Sequence, residues 1–246
     1  MKEFSVQHYT FRPLANEIGL FPILGKLREM GYTGVELCYF GGFEPLSMKP
    51  EELGSRMRDL GMKLVGNHFT RSMFQGEYEQ AFEFIARAGG KYAIYNLWKE
   101  YKSADDVAEA AEFLNPLGEL ANQFGITLVY HNHAVEFEMI DNRLIIDWLA
   151  EHLNDNISLE TDVFFARQHI TDVCAYIRKN ADRIKLVHLK QRNAQGENVD
   201  LPDGMISMPD VCDSARFATD FILEQSSFPD SVMDSLRRNA EYLKQL

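Results

Sequence analysis

The sequence predicts an α/β protein, a single (β/α)8 barrel of eight parallel strands, and three observations carry that prediction. Short runs rich in β-branched and aromatic residues alternate with longer runs of helical period along the whole chain. Eight such units fit into 246 residues, the size at which eight parallel strands close on themselves. An open doubly wound sheet is the competitor, but no strand is followed by a G-x-G-x-x-G or G-x-x-x-x-G-K-[ST] phosphate cradle. Gly41-Gly42, after the second strand, is only a turn signal.

The strands fall at residues 3–9, 34–38, 63–68, 92–96, 127–131, 158–162, 185–189 and 220–224. Between them, helical patterns over 20–30, 50–60, 80–88 and 104–124 each run into a glycine: Gly31, Gly61, Gly89 and Gly125. A residue without a Cβ takes the left-handed conformation that closes a helix, so these four mark C-termini. The second half gives helices over 145–153, 172–180, 208–218 and 232–246, and the Asn-, Gly- and Asp-rich stretch 191–208 reads as a long loop. No linker, charge block, low-complexity tract or strict repeat interrupts the chain, so 1–246 reads as one domain.

At 46% hydrophobic residues the chain can bury a sizeable core, which excludes disorder and a disulfide-stapled mini-domain. Twenty-five basic against 37 acidic residues give a net charge of -12, the wrong sign for a protein that must displace counterions from a phosphate backbone. Nucleic acid is therefore not an expected partner. No apolar run approaches the roughly 20 residues of a spanning helix, and Met1-Lys2-Glu3-Phe4 opens no secretory signal. No membrane association and a cytoplasmic location are expected. Cys38, Cys174 and Cys212 are odd in number and widely spaced, so reduced thiols are expected. Cys174 falls in an apolar-periodic segment and is expected in the core, whereas Cys38 closes a strand, a position from which a side chain can look into a site.

In such a barrel, ligands gather at the C-terminal ends of the strands. The predicted strand ends carry His8-Tyr9, Glu36 with Cys38, His68, Asn96 with Trp98, His131 with His133, Asp162, His188 with Lys190, and Glu224. Five of the seven histidines lie there; the other two, His152 and His169, are expected at the surface. Any one of the five would be ordinary, but together they mark a site. The densest part lies over the last four strands, with the run His131-Asn132-His133-Ala134-Val135-Glu136, then Asp162, His188 and Glu224. Three carboxylates sharing one pocket cannot all stay ionised without a cation, because like charges at that range drive protonation of one of them. Oxygen-dominated ligands with one nitrogen suit Mn²⁺, Mg²⁺, Co²⁺ or Zn²⁺.

These residues carry a resemblance that spans nearly the whole chain. The runs Val6-Gln7-His8-Tyr9-Thr10-Phe11-Arg12, Gly31-Tyr32-Thr33-Gly34-Val35-Glu36-Leu37, Asn67-His68, Tyr130-His131-Asn132-His133 with Glu136-Phe137, Glu160-Thr161-Asp162, Val187-His188-Leu189-Lys190 and Leu223-Glu224-Gln225 resemble the sugar phosphate isomerase/epimerase family with the xylose-isomerase-like TIM barrel. The Tyr-His-Asn-His run with its following Glu is the most specific of them. The resemblance implies one divalent metal ion, Mn²⁺ first, held by Glu136, Asp162, His188 and Glu224. Glu138, two residues beyond Glu136, is the solvated alternative.

Around the ion, Glu136, Glu224, His133 and Lys190 are the catalytic candidates. His68, His131, Trp98 and Arg12 are the substrate-binding candidates, with Trp98 and Phe164 stacking on a sugar face and Arg12, in the loop after the first strand, meeting a substrate anion. Glu36 either faces the ligand or partners Lys190 or a histidine. The chain departs from the family in carrying Gln191 and Ser226 where relatives often carry Asp, and its shortness for the family implies a trimmed substrate-covering loop. The implied function is metal-dependent isomerisation or epimerisation of a small carbohydrate or keto-sugar through an enediolate. A metal-dependent lyase on keto-sugars or 3-keto-glycosides and a non-catalytic sugar-binding protein are the alternatives. A multi-metal phosphodiester hydrolase on the same barrel needs a basic face, which the net charge of -12 does not supply. The sequence leaves the oligomeric state open.

Overall fold

Side chains alternate along a strand, so a parallel strand covered by helices on one face must fill something with the other. The computed structural model, which describes residues 2–38, 48–70, 78–97 and 99–246, shows that this something is the inside of a barrel. Strands β1 (Phe4–Gln7), β2 (Gly34–Cys38), β3 (Lys63–Thr70), β4 (Tyr92–Asn96) and β5 (Thr127–His131) run around one half. A small hairpin, β6 (Met139–Ile140) and β7 (Arg143–Leu144), leaves the ring before β8 (Ile157–Asp162) and β9 (Ile184–Leu189) rejoin it. A second hairpin, β10 (Gln191–Arg192) with β11 (Asn198–Val199), precedes the closing strand β12 (Asp220–Leu223). The order β1-β12-β9-β8-β5-β4-β3-β2 is a closed parallel barrel.

Two apolar clusters follow from the alternation. Outward residues such as Val6, Val35, Leu128 and Leu159 join the large core against the helices. Inward residues Val65, Ile94, Val129, Leu186 and Ile222, with Tyr92, form a separate plug inside the barrel. Above the plug the next inward positions are polar: Gln7, Glu36, His68, Asn96, His131, Glu160, Asp162 and His188. His68 reaches this layer only through a bulge. The β2–β3 register runs Val35↔Leu64 and then Glu36↔Gly66, so Val65 is the extra residue and the facing of β3 switches after it. Gly66 fits there because a Cβ would lie 2.2 Å from the Tyr92 carbonyl oxygen.

The helices are α1 (His8–Ile18), α2 (Leu20–Met30), α3 (Pro50–Asp59), α4 (Tyr78–Ala88), α5 (Ala104–Gln123), α6 (Ile145–His152), α7 (Val163–His169), α8 (Val173–Lys179), α9 (Met208–Ser214) and α10 (Val232–Leu243). The expected helices are all present, that over 20–30 at its expected bounds and the others with shifted ends, the largest shift being at Ser214, four residues short of the expected stop. Among the described residues, two helices fall outside the sequence reading. The first strand stops at Gln7, whose side chain accepts from the Tyr9 N–H and starts α1, so His8 and Arg12 sit on a helix rather than on a strand and loop. Pro13 inside this helix hides it from pattern reading. The second, α7, is short and begins directly at the end of β8. Residues 191–208 are not a plain loop but hold the β10–β11 hairpin and a 3₁₀ turn at Leu201–Asp203.

Cys38 and Cys212 are buried, but Cys174 is only half-buried at the edge of the core, a correction to its expected place. Among the described residues, no helix is long and apolar enough to cross a membrane.

Candidate functional site

The polar layer at the C-terminal end of the barrel holds four acids and three imidazoles in contact with one another. Glu36 Oε1 is the hub of one part: Gln7 Nε2 donates to it at 2.9 Å, and His68 Nε2 and His188 Nε2 lie 2.6 and 2.8 Å away. Glu160, from the adjacent part of the ring, lies 2.8 Å from His131 Nδ1 and 3.2 Å from both His68 and His188. On the opposite edge of the His188 ring, Nδ1 lies 3.0 Å from Glu224 Oε2. Lys190 Nζ donates to Glu224 Oε1 at 2.5 Å and stands 3.9 Å from Asp162 Oδ2. Glu36, Glu160, Asp162 and His188 have no exposed side-chain surface, whereas His68 and Glu224 keep 11% and 12%, so these two face the opening.

Burial sets the protonation of this layer, and neighbours then correct it. Burial would lower His68, but Glu36 and Glu160 beside it lift it to about 9. His188 is held well above the usual imidazole range because Glu160, Glu36 and Glu224 outweigh its burial. Burial would likewise raise Glu160 and Glu224, yet the facing imidazoles, and Lys190 for Glu224, hold both well below the carboxylate range. Asp162 goes the other way, to about 6, through burial, with Lys190 opposing. His133 is pushed by burial to about 2 and is a neutral imidazole at pH 7.

Asp162 does two things at once. Its Oδ1 accepts from the Phe164 and Phe165 N–H groups and so caps α7, while Oδ2 is buried without a hydrogen bond. The capping and ligand readings of this residue are therefore compatible. The helix it starts places Phe164 and Phe165 as a wall against Lys190, whose Nζ lies 5.5 and 4.9 Å from the two ring centroids. Phe165 also packs 5.2 Å from His133, and Arg192 lies 5.6 Å from Phe164.

Among the expected ligands, the structure brings Asp162, His188 and Glu224 together, with donor atoms within 4.8 Å of one another. It does not bring Glu136 to them. Glu136 lies in the 3₁₀ turn Val135–Phe137, where Tyr130 Oη donates to Oε1 at 2.7 Å and the His133 N–H donates to Oε2 at 2.7 Å. Tyr101 Oη, 3.1 Å from Tyr130 Oη, extends this buried network, and burial raises the Glu136 carboxyl against those donors. Both oxygens accept hydrogen bonds that hold the turn, and Glu136 lies outside the cluster of Asp162, His188 and Glu224. Glu138 is exposed, as expected.

Of the remaining candidates, His68 and His131 join the layer and Lys190 lies against Glu224, while His133 stands beside His131, ring centroids 4.9 Å apart. Arg12, on α1, is half-buried over the Tyr9 ring at 3.8 Å. Trp98 and Gly41-Gly42 lie outside the described residues. Glu36 resolves as the partner of histidines rather than of Lys190. Gln191, in place of an acid, is buried and spans the turn behind it, donating to the Leu201 and Ile206 carbonyls, and Ser226 is exposed beside Asn198. His152 and His169 are exposed.

Glu160 and Phe165 are members of the site that the sequence reading did not single out. For Glu160 a signal existed: it lies two residues before Asp162 on the same strand, so alternation sends both inward. A second group of possible metal donors contains it, with His68, His131 and His188.

The chain is similar over 181 residues, at 36% identity, to the inosose dehydratase of Halalkalibacterium halodurans. The match covers 65% of this chain and 57% of the length of that relative. A sugar phosphate isomerase/epimerase of Parabacteroides distasonis superposes with a TM-score of 0.84 at 18% identity, covering 99% of this chain and 93% of the other. A structure of the IOLI protein with a bound zinc atom gives a TM-score of 0.74 at 12% identity, covering 99% and 97%. At these identities the superpositions establish the fold. The family model described as xylose isomerase-like TIM barrel matches residues 24–245, and with the closed barrel and the polar layer at its C-terminal end in place, the chain belongs to that family.

Proposed function

We propose that this protein is a carbohydrate-processing enzyme, a metal-dependent isomerase or epimerase that removes a proton beside a carbonyl and returns it at another atom or face. The observation that carries this reading is the unbalanced charge of the polar layer. Glu36, Glu160, Asp162 and Glu224 converge there on three imidazoles and one ammonium, with Glu36 Oε2 and Asp162 Oδ2 buried and lacking hydrogen bonds. Groups so arranged destabilise a fold and are kept for chemistry. Asp162, His188 and Glu224 fit a divalent cation: two carboxylates and one nitrogen within 4.8 Å, with His188 Nδ1 also buried and lacking a hydrogen bond. When bound, Mn²⁺, Mg²⁺, Co²⁺ or Zn²⁺ supplies Lewis-acid polarisation of a carbonyl and its neighbouring hydroxyl. The relatives' names, an isomerase/epimerase, a dehydratase and a zinc-bound protein, support the same reading.

The residues divide the remaining work. Lys190 Nζ, held against Glu224 and the Phe165 ring, donates a hydrogen bond to the oxygen that gains charge as the enediolate forms. Glu224, at the opening, accepts the carbon-bound proton at a carboxylate oxygen. His68, also at the opening and protonated at neutral pH, supplies a proton from its imidazolium on the other side. Phe164 and Phe165 give an apolar wall for a sugar face and limit water at the reacting carbon.

A second reading is favoured by one specific observation, the similarity to inosose dehydratase. A lyase uses the same first proton removal and then expels a β-hydroxyl instead of reprotonating. Incubation of Mn²⁺-loaded protein in D₂O with ketoses, aldoses, inososes and 3-keto-glycosides separates the readings. Deuterium entering next to the carbonyl with the skeleton intact marks the isomerase or epimerase, and an unsaturated product marks the lyase. If no compound exchanges or is consumed while one binds by calorimetry, the protein is a binder and the enzyme reading falls.

A further inference from the structure

Glu36 is a buried acid that the proposed reaction leaves without a task, and it sits on the far side of the one imidazole that the cation needs. His188 is fully buried and flanked by carboxylates at both edges: Nε2 is held by Glu36 Oε1 at 2.8 Å, and Nδ1, without a hydrogen bond, faces Glu224 Oε2 at 3.0 Å. An imidazole offers a cation one nitrogen, and a carboxylate on the other nitrogen fixes which one and keeps the ring from turning. We infer that Glu36 is the positioning residue of this site: it binds the Nε2–H of His188 so that Nδ1 points at Asp162 and Glu224. The inference rests on the metal reading above.

Three features of the structure favour Glu36 over Glu160 for this role. Glu36 lies nearer to His188 Nε2, 2.8 against 3.2 Å, and Glu160 makes its shortest contact with His131 Nδ1 at 2.8 Å. Glu36 is itself tied down, because Gln7 Nε2 donates to the same Oε1 from β1 and His68 Nε2 approaches it from β3 at 2.6 Å. All three neighbours meet one oxygen, so the carboxylate is anchored across β1, β2, β3 and β9 while Oε2 is left buried without a hydrogen bond. An acid in that position orients the imidazole with little freedom of its own.

The test measures binding and folding separately. Mn²⁺ affinity, from the electron paramagnetic resonance signal of free Mn²⁺, is compared in the unchanged protein and in Glu36→Gln, Glu36→Asp and Glu160→Gln, together with the melting temperature of each metal-free protein. Glu36→Gln is expected to weaken Mn²⁺ binding by about 10- to 100-fold, Glu36→Asp by less, and Glu160→Gln least. In the Zn²⁺-loaded protein, nitrogen-15 NMR of histidine is expected to show His188 protonated at Nε2, with that resonance displaced in Glu36→Gln. A role in folding alone would lower the metal-free melting temperature and leave the affinity in place. Should Glu36→Gln not fold, Glu36→Asp and the NMR of the unchanged protein decide. Unchanged Mn²⁺ affinity in the Glu36 variants, or a His188 proton on Nδ1, overturns the inference while the metal reading stands. Failure of the unchanged protein to bind Mn²⁺ overturns the metal reading and this inference with it.

Discussion

The two ends of the barrel interior are built from the same strands by opposite rules. At the N-terminal end Lys63 meets Asp220 at 2.6 Å and Glu3 at 3.2 Å, and Tyr92 Oη pairs with Thr219 Oγ1 at 2.8 Å. Each of these groups has a partner there. One layer up the interior is wholly apolar, with Val65, Ile94, Val129, Leu186 and Ile222. At the C-terminal end, four acids crowd around one lysine and three histidines, and carboxylate oxygens remain buried without hydrogen bonds. The lower end is arranged for folding, whereas the upper end is stable only because the rest of the barrel holds it.

That contrast breaks most visibly at the upper end. Asp162→Ala is expected to abolish Mn²⁺ binding and turnover, and to cost about 1 kcal/mol through loss of the α7 cap; dialysis against Mn²⁺ with elemental analysis, followed by urea unfolding, measures both. Metal addition tests the same imbalance without a mutation. Mn²⁺ at a hundred times its dissociation constant should stabilise the fold by about 2.7 kcal/mol, and a chelator should reverse the gain in a thermal melt. A protein no more stable with Mn²⁺ than without it would mean that the folded upper end does not bind the ion in preference to the unfolded chain.

Glu136 sharpens the boundary between the site and its support. Glu136→Ala leaves Tyr130 Oη and the His133 N–H without their acceptor, which is expected to cost about 1–3 kcal/mol. Mn²⁺ stoichiometry by elemental analysis should not change. If instead the metal is lost and stability is kept, the carboxylate belongs to the upper layer after all. At the lower end, Lys63→Ala should cost only about 1 kcal/mol, because the lysine is partly exposed, and leave kcat and KM as they were. Glu138→Gln, on an exposed side chain, is expected to stay within about 0.5 kcal/mol and leave turnover unaltered; a loss of activity there would place the wrong carboxylate in the turn after β5.

The fold and most of the site were legible in the sequence for one physical reason. In a barrel strand the side-chain period is two, so a short apolar run fixes which residue at its end faces inward. Asp162, His188 and Glu224 follow such runs at β8, β9 and β12, and His131 does so at β5, whereas on β3 strict alternation from Val65 would turn Asn67 inward and the bulge brings His68 there instead. The same rule reaches Glu160, two residues before Asp162, and Glu36 in the middle of β2. What pattern alone could not give was the path of the chain once a strand had ended. Glu136 lies five residues past β5, in a 3₁₀ turn whose direction is set by the Tyr130 hydroxyl and the His133 amide, and no periodicity encodes those contacts. The β3 bulge is another such case, because an extra residue at Val65 is visible only in the register against β2. Sequence by itself determined the barrel, most of its inward residues and the gathering of acids and histidines at its mouth. The tertiary structure alone decided that Glu36 faces one nitrogen of His188 and Glu224 the other, because those three residues come from strands whose pairing exists only when the ring is closed.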